Sequence, residues 1–272
     1  MLIGSPARAM LRILVYAALT LPLLPVQLLG VLICPPLARW LPIPYHRAVC
    51  WILGIKIQRR GRMSAKRPTL FVVNHVSYLD IEVLGALIPG SFVAKKEVAT
   101  WPFFSILAKL QRSVFIDRRM TATKEGQDEM LRRLSSRDNL ILFPEGTSGD
   151  GTRVLPFRSA LFAVAQVKGR DGKPIVVQPV SLAYTRLDGI ALGRHWRPFY
   201  TWFGDMELAP HAWQMAGLGE VEVMVNFHEP VSLDRFANRK ALADYCFKVV
   251  NEGVAASNSG RTEMLPPPRK AA

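Results

Sequence analysis

The stretch from Ile13 to Ile33 constrains this chain more than any other, because it is apolar throughout except for Thr20 and Gln27. Arg12 and Arg39 flank it. A helix needs about 20 such residues to cross the hydrocarbon core of a bilayer, so the run predicts contact with lipid over burial as a core helix. A cleaved signal peptide fits poorly. The run is long, holds Pro22 and Pro25 in its middle, and ends in Cys34-Pro-Pro without a small-x-small cleavage site. Each proline lacks an N–H and crowds the preceding turn, which would kink a straight helix. A spanning helix and a short re-entrant pair in one leaflet both satisfy the pattern. Arg8 and Arg12 precede the run, and Arg39, Arg47, Lys56, Arg59 and Arg60 follow it. The more basic flank stays cytoplasmic, which puts the rest of the chain on the cytoplasmic face of a membrane.

Composition narrows the class further. Charged residues make up 21% of the 272 positions, too many for a multispan transporter. The net charge of +14 favours an anionic partner: a membrane surface, nucleic acid or an acidic carrier protein. The cations are not interleaved in any nucleic-acid-binding motif, so nucleic acid is set aside. Cys34, Cys50 and Cys246 are widely spaced and form no zinc-binding pattern, so neither a disulfide framework nor a metal site is implied.

After the apolar run, Leu41–Arg60 is aromatic, basic and apolar, and reads as an interfacial segment. Short β-branched runs then alternate with helix-like stretches. Thr69–Asn74, Ser91–Ala94, Ser113–Ile116, Leu140–Phe143, Ile175–Leu182 and Val221–Phe227 are predicted strands. Leu79–Leu87, Trp101–Leu110, Thr123–Ser135, Phe157–Lys168 and Asp234–Ala255 are predicted helices. This alternation predicts an α/β domain with a mixed, largely parallel sheet flanked by helices. The expected division is a membrane-associated segment over 1–66, a catalytic domain over 67–256, and a disordered Pro-rich tail over 257–272.

Two stretches offer chemistry. The first is Asn74-His-Val-Ser-Tyr-Leu-Asp80, directly after a predicted strand. On a regular helix His75 and Asp80 would sit about 140° apart. They meet if His75 stays in the strand-to-helix turn and Asp80 falls in the first turn of the next helix. A carboxylate then orients an imidazole, the arrangement that deprotonates a hydroxyl. Ser77-x-x-Asp80 is equally a capping-box pattern, which accounts for Asp80 without chemistry. The second stretch, Leu140 to Arg153, is a buried strand running into a Gly-rich turn with Glu145, Thr147, Asp150 and Arg153. Backbone N–H groups, a hydroxyl and a cation in such a turn suit an anionic or polyol ligand. Thr152 stands where a Walker loop needs Lys, and no Gly-x-Ser-x-Gly elbow occurs.

Taken together, His75-x4-Asp80 and Phe143-Pro-Glu-Gly-Thr147 resemble the glycerolipid acyltransferase family that includes the 1-acylglycerol-3-phosphate acyltransferases. Val114-Phe-Ile-Asp-Arg118 resembles its second motif, and Val177–Leu182 its fourth. The resemblance spans Leu70 to Leu182. It implies direct transfer of a fatty acyl chain from acyl-carrier protein or coenzyme A to a lysolipid hydroxyl, with no metal or other cofactor. It implies His75 as base and Asp80 as its support, with Arg118, Glu145, Gly146 and Thr147 positioning the acceptor. The site would then work at the cytoplasmic face of a bacterial inner membrane.

This chain departs from the family in two places. Arg112 stands where the second motif opens with Gly. Ser148 stands where phosphatidic-acid-forming members carry Arg, which weakens the case for a phosphate-bearing acceptor. The loop from Thr147 to Arg158 instead resembles members that acylate lyso-ornithine lipid, a phosphorus-free bacterial aminolipid. Asp150 would then meet the ornithine ammonium, while ordinary turn chemistry accounts for it equally well. Lys95, Lys96, Arg112, Arg118 and Arg119 would receive an acidic carrier protein or face anionic lipid. Trp101, Phe103 and Phe104 would line an acyl tunnel or fill the core. A non-catalytic lipid carrier and a thioester hydrolase are the competing classes.

Overall fold

The structure is a computed structural model that describes residues 4–101, 103–116, 124–166, 168, 172 and 174–261. Residues 262–272 of the expected tail lie outside these. The chain opens with α1 (Pro6–Ile33), which continues as one helix through Pro22 and Pro25. A re-entrant pair within this run is therefore not adopted. The helix stops at Cys34, where Pro35 and Pro36 open α2 (Pro35–Trp40), and α3 (Pro42–Leu53) follows. Only 17% of the most apolar window of α1 is buried, so it is not a core helix.

The remaining elements run β1 (Ile55–Arg60), β2 (Thr69–Val73), α4 (Leu79–Gly85), β3 (Gly90–Lys95), α5 (Phe104–Leu110), β4 (Val114–Ile116), α6 (Lys124–Ser135) and β5 (Asn139–Leu142). A 3-10 stretch over Ser159–Gln166 precedes β6 (Val176–Leu187) and β7 (Ile190–Ala191). Then come α7 (Leu208–Gly217), β8 (Val221–Phe227), β9 (Val231–Ser232) and α8 (Arg239–Asn258). The sheet order is β1–β8–β6–β2–β5–β3–β4, with β7 and β9 on β6. Pairing is parallel along β6–β2–β5–β3–β4 and between β1 and β8, and antiparallel between β6 and β8.

Strand β2 reads Thr-Leu-Phe-Val-Val and is buried along its whole length, as expected of a parallel strand covered on both faces. Successive residues point to opposite faces. Phe71 and Val73 join Phe92, Ile141 and Phe227 in one core, while Leu70 and Val72 join Leu140, Phe162 and Cys246 in the other.

Several elements differ from the sequence expectations, among them β6, which runs on to Leu187, and the unpredicted α7. Leu41–Arg60, expected at the membrane interface, folds as α3 and the edge strand β1, so the sheet reaches back into that segment. The predicted helix over Phe157–Lys168 is wound as the tighter 3-10 form. The last helix begins at Arg239, because Asn238 caps it by accepting the N–H groups of Lys240 and Ala241 at 2.9 and 3.1 Å.

Helix α1 is tied to the domain along its length. The Ser5 N–H donates to the Gly217 carbonyl at 2.9 Å. The Arg12 guanidinium donates to the carbonyls of Ala216, Leu218 and Gly219, which lie at and just beyond the end of α7. Further along, Gln27 Nε2 donates to the carbonyls of Ala38 and Leu110 at 3.1 and 2.9 Å. Its opposite side exposes Leu11, Leu14, Leu21, Leu29 and Ile33.

Candidate active site

Strands β2 and β5 are parallel neighbours, so the loops that leave them emerge side by side at the carboxyl edge of the sheet. In open α/β sheets this edge is where ligands bind. His75 follows β2 by two residues, and Phe143-Pro-Glu145 follows β5 directly. The two loops are stitched together. Glu145 Oε1 accepts the His75 N–H at 2.8 Å, and Glu145 Oε2 accepts the Leu155 N–H at 2.9 Å. The Gly149 N–H donates to the His75 carbonyl at 2.9 Å. Gly146 sits at φ +70°, a left-handed turn that an ordinary residue adopts only with strain. Burial pushes the Glu145 carboxyl up to about 8, against the two backbone donors that favour its charge.

Asp80 is fully buried and saturated with donors. Its Oδ2 accepts His75 Nδ1 at 2.8 Å and the N–H groups of Val76 and Ser77 at 2.8 and 3.0 Å. Its Oδ1 accepts the Tyr184 hydroxyl at 3.0 Å. The two readings of Asp80 therefore coexist: it reaches back to the Ser77 N–H as a capping carboxylate does, and it holds His75. A carboxylate that only accepts leaves the Nδ1 proton on His75, so Nε2 carries the free lone pair. The Phe143 ring stacks on the imidazole at 4.1 Å between centroids, fixing its plane. Nε2 has no hydrogen-bond partner among the described residues. This arrangement suits a base for a hydroxyl proton.

His75 lines a mainly apolar cavity of about 360 Å³. Leu23 and Leu24 of α1, Leu107 and Ala108 of α5, and Leu142 line the same space. Trp101 and Phe104 also line it, and Phe103 does not. Helix α1 is thus a wall of the site as well as an apolar surface.

The other sequence-predicted residues are placed less uniformly. Gly146 lines the cavity, while Glu145 and Thr147 do not. Arg153 is exposed and outside the lining. Asp150 does not line the cavity either. Its Oδ1 accepts the N–H and hydroxyl of Thr152 at 2.9 and 2.7 Å, and those bonds hold its carboxyl below the usual range despite burial. These bonds are the ordinary turn chemistry that the sequence allowed for Asp150, and they engage its Oδ1. Arg118 and Arg119 lie outside the described residues. Arg112 adopts φ +61°, which accounts for the glycine that the related motif prefers there, and its guanidinium is spent on Asp138. Lys95 lines the cavity and Lys96 is exposed.

Sequence reasoning missed three groups and the role of a fourth. Tyr184 lies beyond the predicted end of β6, and Phe143 opens the family-like motif without any sign of its stacking on His75. Arg158 lines the cavity near Gly146. His46 had no assigned neighbours, yet its Nδ1 lies 2.6 Å from Glu82 and its Nε2 3.1 Å from Gln111. Burial opposes charge on His46, but the Glu82 carboxylate outweighs it and the pKa is raised. Among the described residues no cluster could hold a metal ion.

Comparison with known proteins bears on this geometry. A family model described as Acyltransferase matches residues 54–183. The chain is 42% identical to a lyso-ornithine lipid O-acyltransferase of Brucella abortus, covering 87% of this chain and 90% of that protein. It is 40% identical to one of Rhizobium meliloti, covering 82% and 78%. The crystal structure of a 1-acyl-sn-glycerophosphate acyltransferase from Thermotoga maritima superposes with a TM-score of 0.59 at 21% identity, covering 82% of this chain and 80% of that one. The last match shows the shared fold.

Proposed function

Because the chain belongs to the glycerolipid acyltransferase family, we propose that this acyltransferase moves a fatty acyl chain from an acyl thioester to the hydroxyl of lyso-ornithine lipid. The observation that carries the chemistry is the His75 imidazole, oriented by Asp80 and facing an apolar cavity. In this reading the acceptor hydroxyl oxygen attacks the thioester carbonyl while His75 Nε2 takes its proton. The carbon–sulfur bond breaks, and the leaving thiolate recovers the proton from the imidazolium. Asp80 stabilises that cation, and no acyl-enzyme forms. The acyl chain occupies the cavity. Glu145 serves by holding the His75 backbone, Gly146 and Thr147 shape the acceptor loop, and the family resemblance assigns Arg118 to the acceptor as well. The donor is a thioester of acyl-carrier protein or coenzyme A.

The acceptor assignment rests on Ser148, which offers no charge, and on the relatives named above. The Ser148 hydroxyl is itself occupied by the Trp202 carbonyl. Phosphatidic acid formation is the second reading, favoured by a 30% identity to a 1-acyl-sn-glycerol-3-phosphate acyltransferase of Neisseria meningitidis, over 78% of this chain and 79% of that protein.

Membrane association follows from α1 and from the lipid substrates. Helix α1 is tied to the catalytic domain near its start, Ser5 to Gly217, and far along its length, Gln27 to Leu110, and Ser5 and Gln27 are ~33 Å apart along a helix of 1.5 Å rise. A helix crossing the bilayer would pull that domain into the lipid. The reading is therefore that α1 lies in one leaflet, on the cytoplasmic face of the inner membrane, with residues from about 54 onward forming the catalytic unit. The test is to incubate membranes containing the protein with labelled acyl donor and, in parallel, lyso-ornithine lipid or lysophosphatidic acid. Labelled ornithine lipid is the expected product. Phosphatidic acid alone would overturn the acceptor and keep the chemistry.

A further inference from the structure

We propose that Arg158 binds the carboxylate of the acceptor headgroup and so sets the enzyme's preference for that lipid. This rests on the lyso-ornithine lipid reading above. An ornithine acylated through one nitrogen presents a carboxylate beside an ammonium, so the acceptor loop needs a cation close to the reacting hydroxyl.

Among the described residues, Lys95 and Arg158 are the cavity-lining side chains with permanent positive charge. Arg158 is held over the acceptor loop. Its N–H donates to the Pro144 carbonyl at 2.9 Å. A Cβ placed on Gly146 would lie 3.1 Å from both Cζ and Nε of Arg158, so the absence of a side chain at Gly146 leaves room for the guanidinium. Gly146 adjoins Glu145, which binds the His75 N–H. The guanidinium therefore sits one residue from the brace that fixes the base.

The other arginines near the site are committed. Arg112 and Arg39 pair with Asp138, Arg12 serves three carbonyls around the end of α7, and Arg47 donates to the Ala86 carbonyl at 3.0 Å. Arg158 has no carboxylate within ion-pair distance among the described residues. Its side chain is exposed at the cavity, where a headgroup outside the apolar space can reach it. A planar guanidinium offers two parallel N–H donors to a carboxylate, a geometry that an ammonium lacks.

The test compares lyso-ornithine lipid with its carboxyl methyl ester, using the full-length wild-type enzyme and Arg158→Gln. The readout is the ratio of kcat/KM for acid over ester within each protein, which does not depend on the amount of folded enzyme. Wild type should prefer the acid by about 10- to 100-fold, the range of a hydrogen bond to a charged group. Arg158→Gln should bring the ratio close to one, with the loss on the acid appearing mainly in KM. An equal preference in both proteins overturns the role of Arg158 and leaves the acceptor assignment intact. A wild-type enzyme that ignores both ornithine lipids and consumes lysophosphatidic acid overturns the acceptor assignment and this inference with it.

Discussion

The Tyr184 hydroxyl donates to the one oxygen of Asp80 that His75 does not use, at 3.0 Å. Asp80 is thereby held from both sides, by the turn that contains His75 and by the long strand β6. Tyr184 is fully buried, and burial together with the neighbouring Asp80 charge drives its pKa upward, so it remains a donor. Tyr184→Phe leaves Asp80 Oδ1 without a donor inside the protein, at a cost of ~1–3 kcal/mol. We expect a loss of stability in that range and a fall in kcat of roughly 10-fold, equal for any acceptor. Urea unfolding and saturation kinetics check it. Unchanged kcat would show that the Asp80 position does not depend on Tyr184.

Glu145 predicts a pH dependence of stability. Its carboxyl titrates at about 8 in the folded protein, against about 4.3 for an exposed Glu. The folded state therefore holds a proton that the unfolded chain releases first. The contribution is fully present below about pH 4 and is lost as the pH rises to about 8. Wild type should lose more stability than Glu145→Gln between pH 5 and pH 8.5, measured as urea midpoints. Parallel changes in the two proteins would contradict it. The same variant should also lose activity, since an amide accepts at only one of the two atoms that now receive the His75 and Leu155 N–H groups.

The cavity wall contributed by α1 predicts control of chain length. Leu24 lines the cavity, and Leu24→Trp would fill part of it. Competition between acyl donors of different length should then shift the product toward shorter chains. An unchanged product ratio with a lower total rate would count against the cavity as the acyl site.

Much of the site could be read from sequence because it sits where buried strands end. Thr69–Val73 and Leu140–Leu142 are continuous apolar runs, and such runs declare a parallel sheet whose carboxyl edge carries the loops. His75 and Asp80 were visible as a local pair. Tyr184 was not, because it meets Asp80 across 104 residues and lies past the point where β6 stops looking like a strand. Strand β1 was hidden because Ile-Lys-Ile-Gln-Arg-Arg is half exposed at a sheet edge and reads as a basic interfacial segment. For Asp150 the residue type suits an ammonium, and only the folded loop shows that its Oδ1 accepts from Thr152. The single course of α1 through Pro22 and Pro25 was likewise undetermined, since it depends on contacts with α7 and α5 that lie far away in sequence.

The central claim is that His75 is the base, and replacing it tests this most directly. Acyl transfer to lyso-ornithine lipid and binding of the same lipid should be measured for wild type and His75→Ala. Loss of a general base lowers turnover by roughly 10²- to 10⁴-fold, and the account predicts this loss with lysolipid affinity nearly unchanged. Turnover within a few-fold of wild type would contradict it.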